Sequence, residues 1–396
     1  MRALLCYDNT VRRDKLPNDF RGGMPQKKGP FQMKKITAVL LAMLLCMTVF
    51  AACGQSGAAS SESTSSESSA EATAEPTAEP TAEPTAESTE APEAFTPATY
   101  EVASLKGPTT MGMVKLMQDA ENGETANTYN VTMYGTADEI TAGIANKTID
   151  IANVPCNLAS VLYNKTEGGI KLLDINTLGV LSIMENGNTI GSIEDLRGKT
   201  IYATGKGSTP EYILNYLLTK NGIDPETDVT IEYLTEHAEL ATKLASGDAA
   251  IGLLPEPNVT VALTTAEANG NTELRIALDV TEEWAKLGEG ELVQGCIVVS
   301  NKFKTEHPEQ YQKFMEEYKA SVAYVNSDIA SAAEAIAEFE IVPKAAIAQK
   351  AIPNCNIVCL DGEDGIRYME AMLNVLYEAN PQSVGGKLPT DAFYGK

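Results

Sequence analysis

Two short loops carry the residue types best suited to chemistry. KGPTT at 106–110 stands between a β-rich run and a helical spacing, and GKGSTP at 205–210 repeats that arrangement further along. Backbone N–H groups at a helix start favour anionic or acceptor groups. Lys106, Thr109, Thr110, Lys206, Ser208 and Thr209 add side-chain donors to them. Pro108 and Pro210 suit a first helical turn, and Gly207 allows a bound group to approach the backbone closely. Each loop also has a structural reading, in which Thr109 or Thr110 caps one helix and Thr209 the other. The order of Gly and Lys at 205–210 does not fit a Walker phosphate loop. Further candidates for ligand contact are Tyr134 and Thr136, Pro155 and Asn157, Glu256 between Pro255 and Pro257, and Gln294. Thr136 with Glu139 has capping-box spacing, and Asn157 also suits a cap.

Catalytic chemistry is thin. The two histidines, His237 and His307, each follow a Glu near a helix start and read as surface structure. There is no Gly-x-Ser-x-Gly, no Cys–His nucleophile context and no metal-ligand spacing, so the sequence predicts no catalytic residue, metal or cofactor. Beyond residue 53 the cysteines are Cys156, Cys296, Cys355 and Cys359, whose spacing is unlike a disulfide framework. They read as buried free thiols, with a Cys156–Cys296 bridge as the alternative. Trp284 reads as a packing residue.

The elements that must position these loops alternate in type. Strands are predicted at 100–105, 129–134, 149–154, 200–203, 229–233, 249–254, 274–278 and 291–300, with one longer apolar run at 171–184. Helical spacing fills most gaps between them, for instance at 111–120, 211–219 and 236–245, and the C-terminal third reads as mostly helical. Strand–helix–strand units at this spacing predict α/β lobes built on parallel sheets. A self-contained block at about 190–290 is inserted into the first, with crossings at about 176–187 and 288–296 forming a two-strand hinge. The expected organisation is lobe 1 at 96–187 and 293–396 and lobe 2 at 188–292. Each lobe should have its own core, with a solvent-filled gap between them where a ligand would meet the carboxyl ends of the strands.

The N-terminal quarter is of another kind. Lys34 and Lys35 precede an apolar run at 36–52 that ends in small residues before Cys53. That order reads as a secretory signal rather than a membrane span. FAAC at 50–53 resembles a bacterial lipobox, which implies a lipid on Cys53. Residues 1–32 are unpatterned and suggest a mis-assigned start, with Met33 as the expected first residue. From 54 to 94 the chain is Ser, Ala, Thr, Glu and Pro, with TAEP repeated at 73–76, 77–80 and 81–84. Such a segment buries too little apolar surface to order itself and reads as a spacer. Beyond it, 21 Lys and Arg stand against 42 Asp and Glu, a net charge of −21. This balance argues against a nucleic-acid partner.

SLKGPTTMGMVK at 104–115, IDIANVPCNLAS at 149–160, IEDLRGKTI at 193–201, GKGSTPEY at 205–212 and LLPEP at 253–257 are similar to segments of solute-binding proteins of ABC importers for nitrate, sulfonate, taurine and thiamine-precursor pyrimidines. The resemblance runs from Thr99 to the C-terminus. It implies a two-lobed type II periplasmic-binding fold that closes over a small polar or anionic solute and delivers it to ABC permease subunits. It also implies a monomer without enzymatic activity, lipid-anchored to the outer face of the cell membrane. The alternatives are a sensory or adhesive lipoprotein using the same clamshell, and an enzyme resembling the pyrimidine synthases of this fold.

Overall fold

The computed structural model describes residues 95–396. The signal region, the candidate lipid site Cys53 and the Glu/Thr/Ala/Pro segment lie outside the described residues. Eleven strands run in chain order as β1 (Thr99–Leu105), β2 (Thr128–Tyr134), β3 (Ile151–Pro155), β4 (Ile170–Thr177), β5 (Leu181–Asn186), β6 (Thr200–Ala203), β7 (Thr230–Tyr233), β8 (Ile251–Pro255), β9 (Leu274–Asp279), β10 (Gly295–Ser300) and β11 (Ile357–Leu360). They form a six-stranded sheet of order β11-β4-β10-β3-β1-β2 and a five-stranded sheet of order β7-β6-β8-β5-β9.

Both sheets are mixed rather than purely parallel. The βαβ runs are parallel: β1 pairs so with β2 and β3, and β6 with β7 and β8. β10 is antiparallel to β3 and β4, β11 to β4, and β5 to β8 and β9. The cause lies in the crossings. β10 and β5 enter their sheets from the edge at which the parallel strands end, so they must run the opposite way. The apolar run at 171–184 is accordingly two strands in different sheets, parted only by residues 178–180.

Strands covered on both faces, such as β8 and β10, read as unbroken apolar runs, whereas β2 at the sheet edge is largely open to solvent. The C-terminal region contains the expected helices, including Pro308–Ser327 and Gly362–Ala379, but also the strand β11. Register shifts on β4 opposite β10 leave Leu173 and Asn176 as extra residues.

Three apolar clusters hold the molecule together. One belongs to the first sheet's outer layer, around Met111, Phe314 and Tyr318, and one to the second lobe, around Leu240, Leu254 and Ala262. The third is shared. It runs from Val154 and Ile175 through Leu181, Leu292 and Val293 to Ile201, Leu217 and Trp284. Separate cores were expected; the lobes are instead joined where the helix Thr209–Lys220 packs against Gly362–Ala379. Apolar surface that faces across the crossings is removed from water by this contact.

Candidate functional site

Leu105, Tyr134 and Pro155 end the parallel strands of the first sheet, and Ala203, Tyr233 and Pro255 end those of the second. Pro155 sits opposite Gly295, and Pro255 opposite Leu181, so both sets of ends lie on the edges where the chain crosses between sheets. Every candidate loop therefore falls on one of two facing edges.

In the first lobe, Pro108 opens a short helix, Pro108–Met111, whose N-cap is Gly107 at φ 133°. Neither threonine caps it. Thr109 donates to the Leu105 carbonyl at 3.0 Å, while the buried Thr110 hydroxyl meets Ser104 Oγ at 2.6 Å. Lys106 is exposed on the edge and Tyr134 is half-buried. Thr136 occupies the N-cap of the helix Ala137–Ala145 without a side-chain capping bond, so the expected capping box does not form. The cap of the next helix is Pro155, which frees Asn157 for other contacts. Its amide donates to the Ser383 carbonyl at 3.3 Å.

In the second lobe, Ser208 takes the N-cap position that the sequence suggested for Thr209, and its hydroxyl turns back to the Gly205 carbonyl at 2.6 Å. Thr209 is thereby free to reach the other lobe. It donates to Asn157 Oδ1 at 2.9 Å and lies 3.7 Å from Cys156 Sγ. Gly207 donates its N–H to the Glu211 carboxylate. Lys206 is exposed, 5.5 Å from the centre of the Tyr233 ring.

Glu256 is buried, and its carboxylate accepts from the Thr260 N–H at 3.1 Å and the Thr260 hydroxyl at 3.0 Å. Burial pushes its pKa above the usual carboxylate range, against the pull of these bonds. Both oxygens are thus engaged at the start of the helix Asn258–Asn269. Gln294 holds the return crossing in place: its N–H donates to the Thr177 carbonyl, and its own carbonyl accepts from Cys156 N–H, each at 3.0 Å. Its Nε2 is buried with no partner among the described residues. A buried amide donor without an acceptor is costly, which makes Gln294 a candidate for ligand contact.

The structure therefore gathers Cys156, Asn157, Thr209 and Gln294 at the crossings and sets Lys106, Thr136, Lys206 and Gly207 in the open. Three further polar residues lie beneath the first lobe's edge. Asn176 donates to Asn153 Oδ1 at 2.9 Å and accepts from the Thr177 hydroxyl at 3.0 Å. Sequence reasoning passed over them; the available signal was an amide side chain inside otherwise apolar strands. His237, read as surface structure, is instead partly buried and meets Thr204 Oγ1 at 2.6 Å through Nδ1. Burial lowers its pKa, which favours the neutral ring.

This arrangement has little means of transforming a bound molecule. The Cys156 thiol is fully buried, which raises its pKa to about 12, so it is no thiolate nucleophile. All four described cysteines are free. No group of His, Cys, Asp and Glu among the described residues could hold a metal ion, and no described helix is long and apolar enough to cross a membrane.

Two mixed α/β sheets crossed twice by the chain, with donors on facing edges, define the class of periplasmic-type solute-binding proteins. Residues 122–339 match the family described as the periplasmic substrate-binding protein of phosphonate ABC transporters, and the chain belongs to that family. It is a binding protein rather than an enzyme. Many solved structures share the fold, among them the following three. An ABC transporter protein from Parabacteroides distasonis is 22% identical with a TM-score of 0.61, covering 74% of this chain and 98% of its own. The alkanesulfonate-binding protein of Xanthomonas axonopodis pv. citri, bound to MOPS, is 16% identical with a TM-score of 0.56, covering 76% and 98%. The periplasmic aliphatic sulphonate-binding protein of Escherichia coli is 15% identical with a TM-score of 0.60, covering 74% and 94%. No curated protein matches the chain in sequence.

Proposed function

We propose that this protein captures a small solute with an oxyanion head, a phosphonate or sulfonate, between its lobes and delivers it to the permease of an ABC importer. The observation that carries the reading is the buried Gln294 Nε2 at the crossing, without a partner among the described residues and flanked by the Thr209–Asn157 bond between the lobes. The facing edges add the ammonium groups of Lys106 and Lys206, while the one candidate carboxylate, Glu256, is engaged by Thr260. Such a lining favours negative charge in the ligand. The family match and the sulfonate-binding proteins of like fold support the same class of head group. In this reading the protein acts as a monomer, held outside the cytoplasm by a lipid on Cys53.

Calorimetry with a panel of phosphonates, sulfonates, nitrate and pyrimidines, paired with small-angle scattering, tests the reading. At least one oxyanion should bind and compact the protein; a panel with no binder, or binding by pyrimidines alone, overturns it. Lys206→Ala should weaken the oxyanion about tenfold, the worth of one charged hydrogen bond, and leave the melting temperature unmoved. Cys53→Ser should release the protein from the membrane fraction, and retention there would refute the anchor.

A further inference from the structure

We propose that the first lobe carries a second anion site, far from the crossings, that takes a phosphate monoester with an apolar tail. A cavity of about 380 Å³ opens where β3 and β4 begin and β10 ends. Its volume falls in the range of small-ligand sites. From the crossing edge at Gly295 the cavity lies the length of β10 away, roughly 20 Å at ~3.3 Å per residue. It is therefore not part of the interlobe site.

The lining has two kinds of surface. Ile144, Ile149 and Ile170 supply an apolar wall that continues into the shared core. Lys147, Lys165 and Lys302 stand around it, all exposed, and none makes an ion pair among the described residues. Asp150 is the one acid on the lining, and its Oδ2 is already engaged by the Glu101 N–H at 3.0 Å. Three ammonium groups against one carboxylate leave a net positive cavity on a domain whose balance is −21.

Lysine is a point-charge binder of phosphate, and a doubly charged head matches the surplus. The isoleucines suit an alkyl portion, which inorganic phosphate lacks. Lys147 also sits in left-handed backbone at φ 60°, a conformation Gly adopts without strain.

The test is calorimetry on the full chain with hexyl phosphate, with inorganic phosphate as the tailless control. Dihexanoyl phosphatidic acid, which is soluble, tests a lipid headgroup as the source. Hexyl phosphate should bind more tightly than inorganic phosphate. Lys147→Gly and Lys302→Gln should each weaken it about tenfold, the worth of a charged hydrogen bond. Lys147→Gly relieves backbone strain, so a fold preserved in that variant keeps the test interpretable. Lys206→Ala should leave this binding event unchanged, which separates it from the interlobe site. Tighter binding of the phosphatidic acid assigns a lipid headgroup, and equal or weaker binding assigns a soluble monoester. Hexyl phosphate binding that is absent, or undiminished in the Lys147→Gly, Lys302→Gln double variant, overturns the proposal.

Discussion

Replacing Asp174 by asparagine should make the protein more stable at neutral pH. Asp174 lies on β4 at 1% exposure, with the Cys359 thiol donating to its Oδ2 at 3.1 Å and no side-chain partner for Oδ1 among the described residues. Burial raises its pKa from 3.8 to about 7, helped by the charge of Asp361 and opposed by the Cys359 bond. The folded chain thus holds a proton that the unfolded chain releases near pH 4. Between about pH 4 and 7 the native state binds the extra proton, so stability falls as pH rises through that window. The shift of roughly three units, at ~1.4 kcal/mol each, amounts to about 4 kcal/mol by neutral pH. The amide keeps an acceptor for Cys359 and carries no titrating group. Urea unfolding followed by circular dichroism from pH 4 to 8 reads the difference between wild type and Asp174→Asn, in which other carboxylates cancel. That difference should grow towards neutral pH in favour of the variant by a few kcal/mol. Parallel curves for the two proteins would refute the account of the buried carboxyl.

Arg275 donates to Glu185 Oε2 at 2.7 Å and to the Ile190 and Gly187 carbonyls, beside a carboxylate that is itself buried. Arg275→Ala should therefore cost about 2 kcal/mol in chemical unfolding, since the Glu185 carboxylate loses its ion pair but keeps the bonds it accepts from Thr189 and Ile190. A Cβ on Gly295 would lie 2.6 Å from both Asn176 Oδ1 and Thr109 Cγ2, so Gly295→Ala should destabilise by about 1–3 kcal/mol and disturb the crossing; an unchanged melting temperature would contradict this. Thr209→Val removes the bond to Asn157 and should shift small-angle scattering of the ligand-free protein towards a more open form. Identical scattering profiles would show that this bond does not bias the lobes.

The alternation of strands and helices was legible because period and turn residues are local properties. Thr200–Ala203 and the helices Thr209–Lys220 and His237–Ser246 stand close to where pattern places them. Strand direction was not legible, because β10 and β5 look like any buried strand; their reversal follows from where the chain enters each sheet. The break at 178–180 was hidden inside one apolar run, and Ile357–Leu360 was hidden among helices. At the site, the loops were found through Gly, Pro and hydroxyl spacing, but the duties within them were exchanged. Ser208 rather than Thr209 takes the cap position, and Glu256 serves Thr260. Capping geometry depends on one residue of offset, which spacing alone cannot settle. Asn153 and Asn176 became visible only once their strands were seen side by side.

The place of β10 in the first sheet has a consequence for how the chain becomes a protein. β10 lies between β3 and β4, yet it is made only after every strand of the second sheet. A chain emerging from its N-terminus can complete the second sheet while the first still has a vacancy at its centre. The lobe that begins the sequence is thus the last to be finished, and a chain ended near residue 290 should keep protected amides on β5 to β9 but not on β3 and β4.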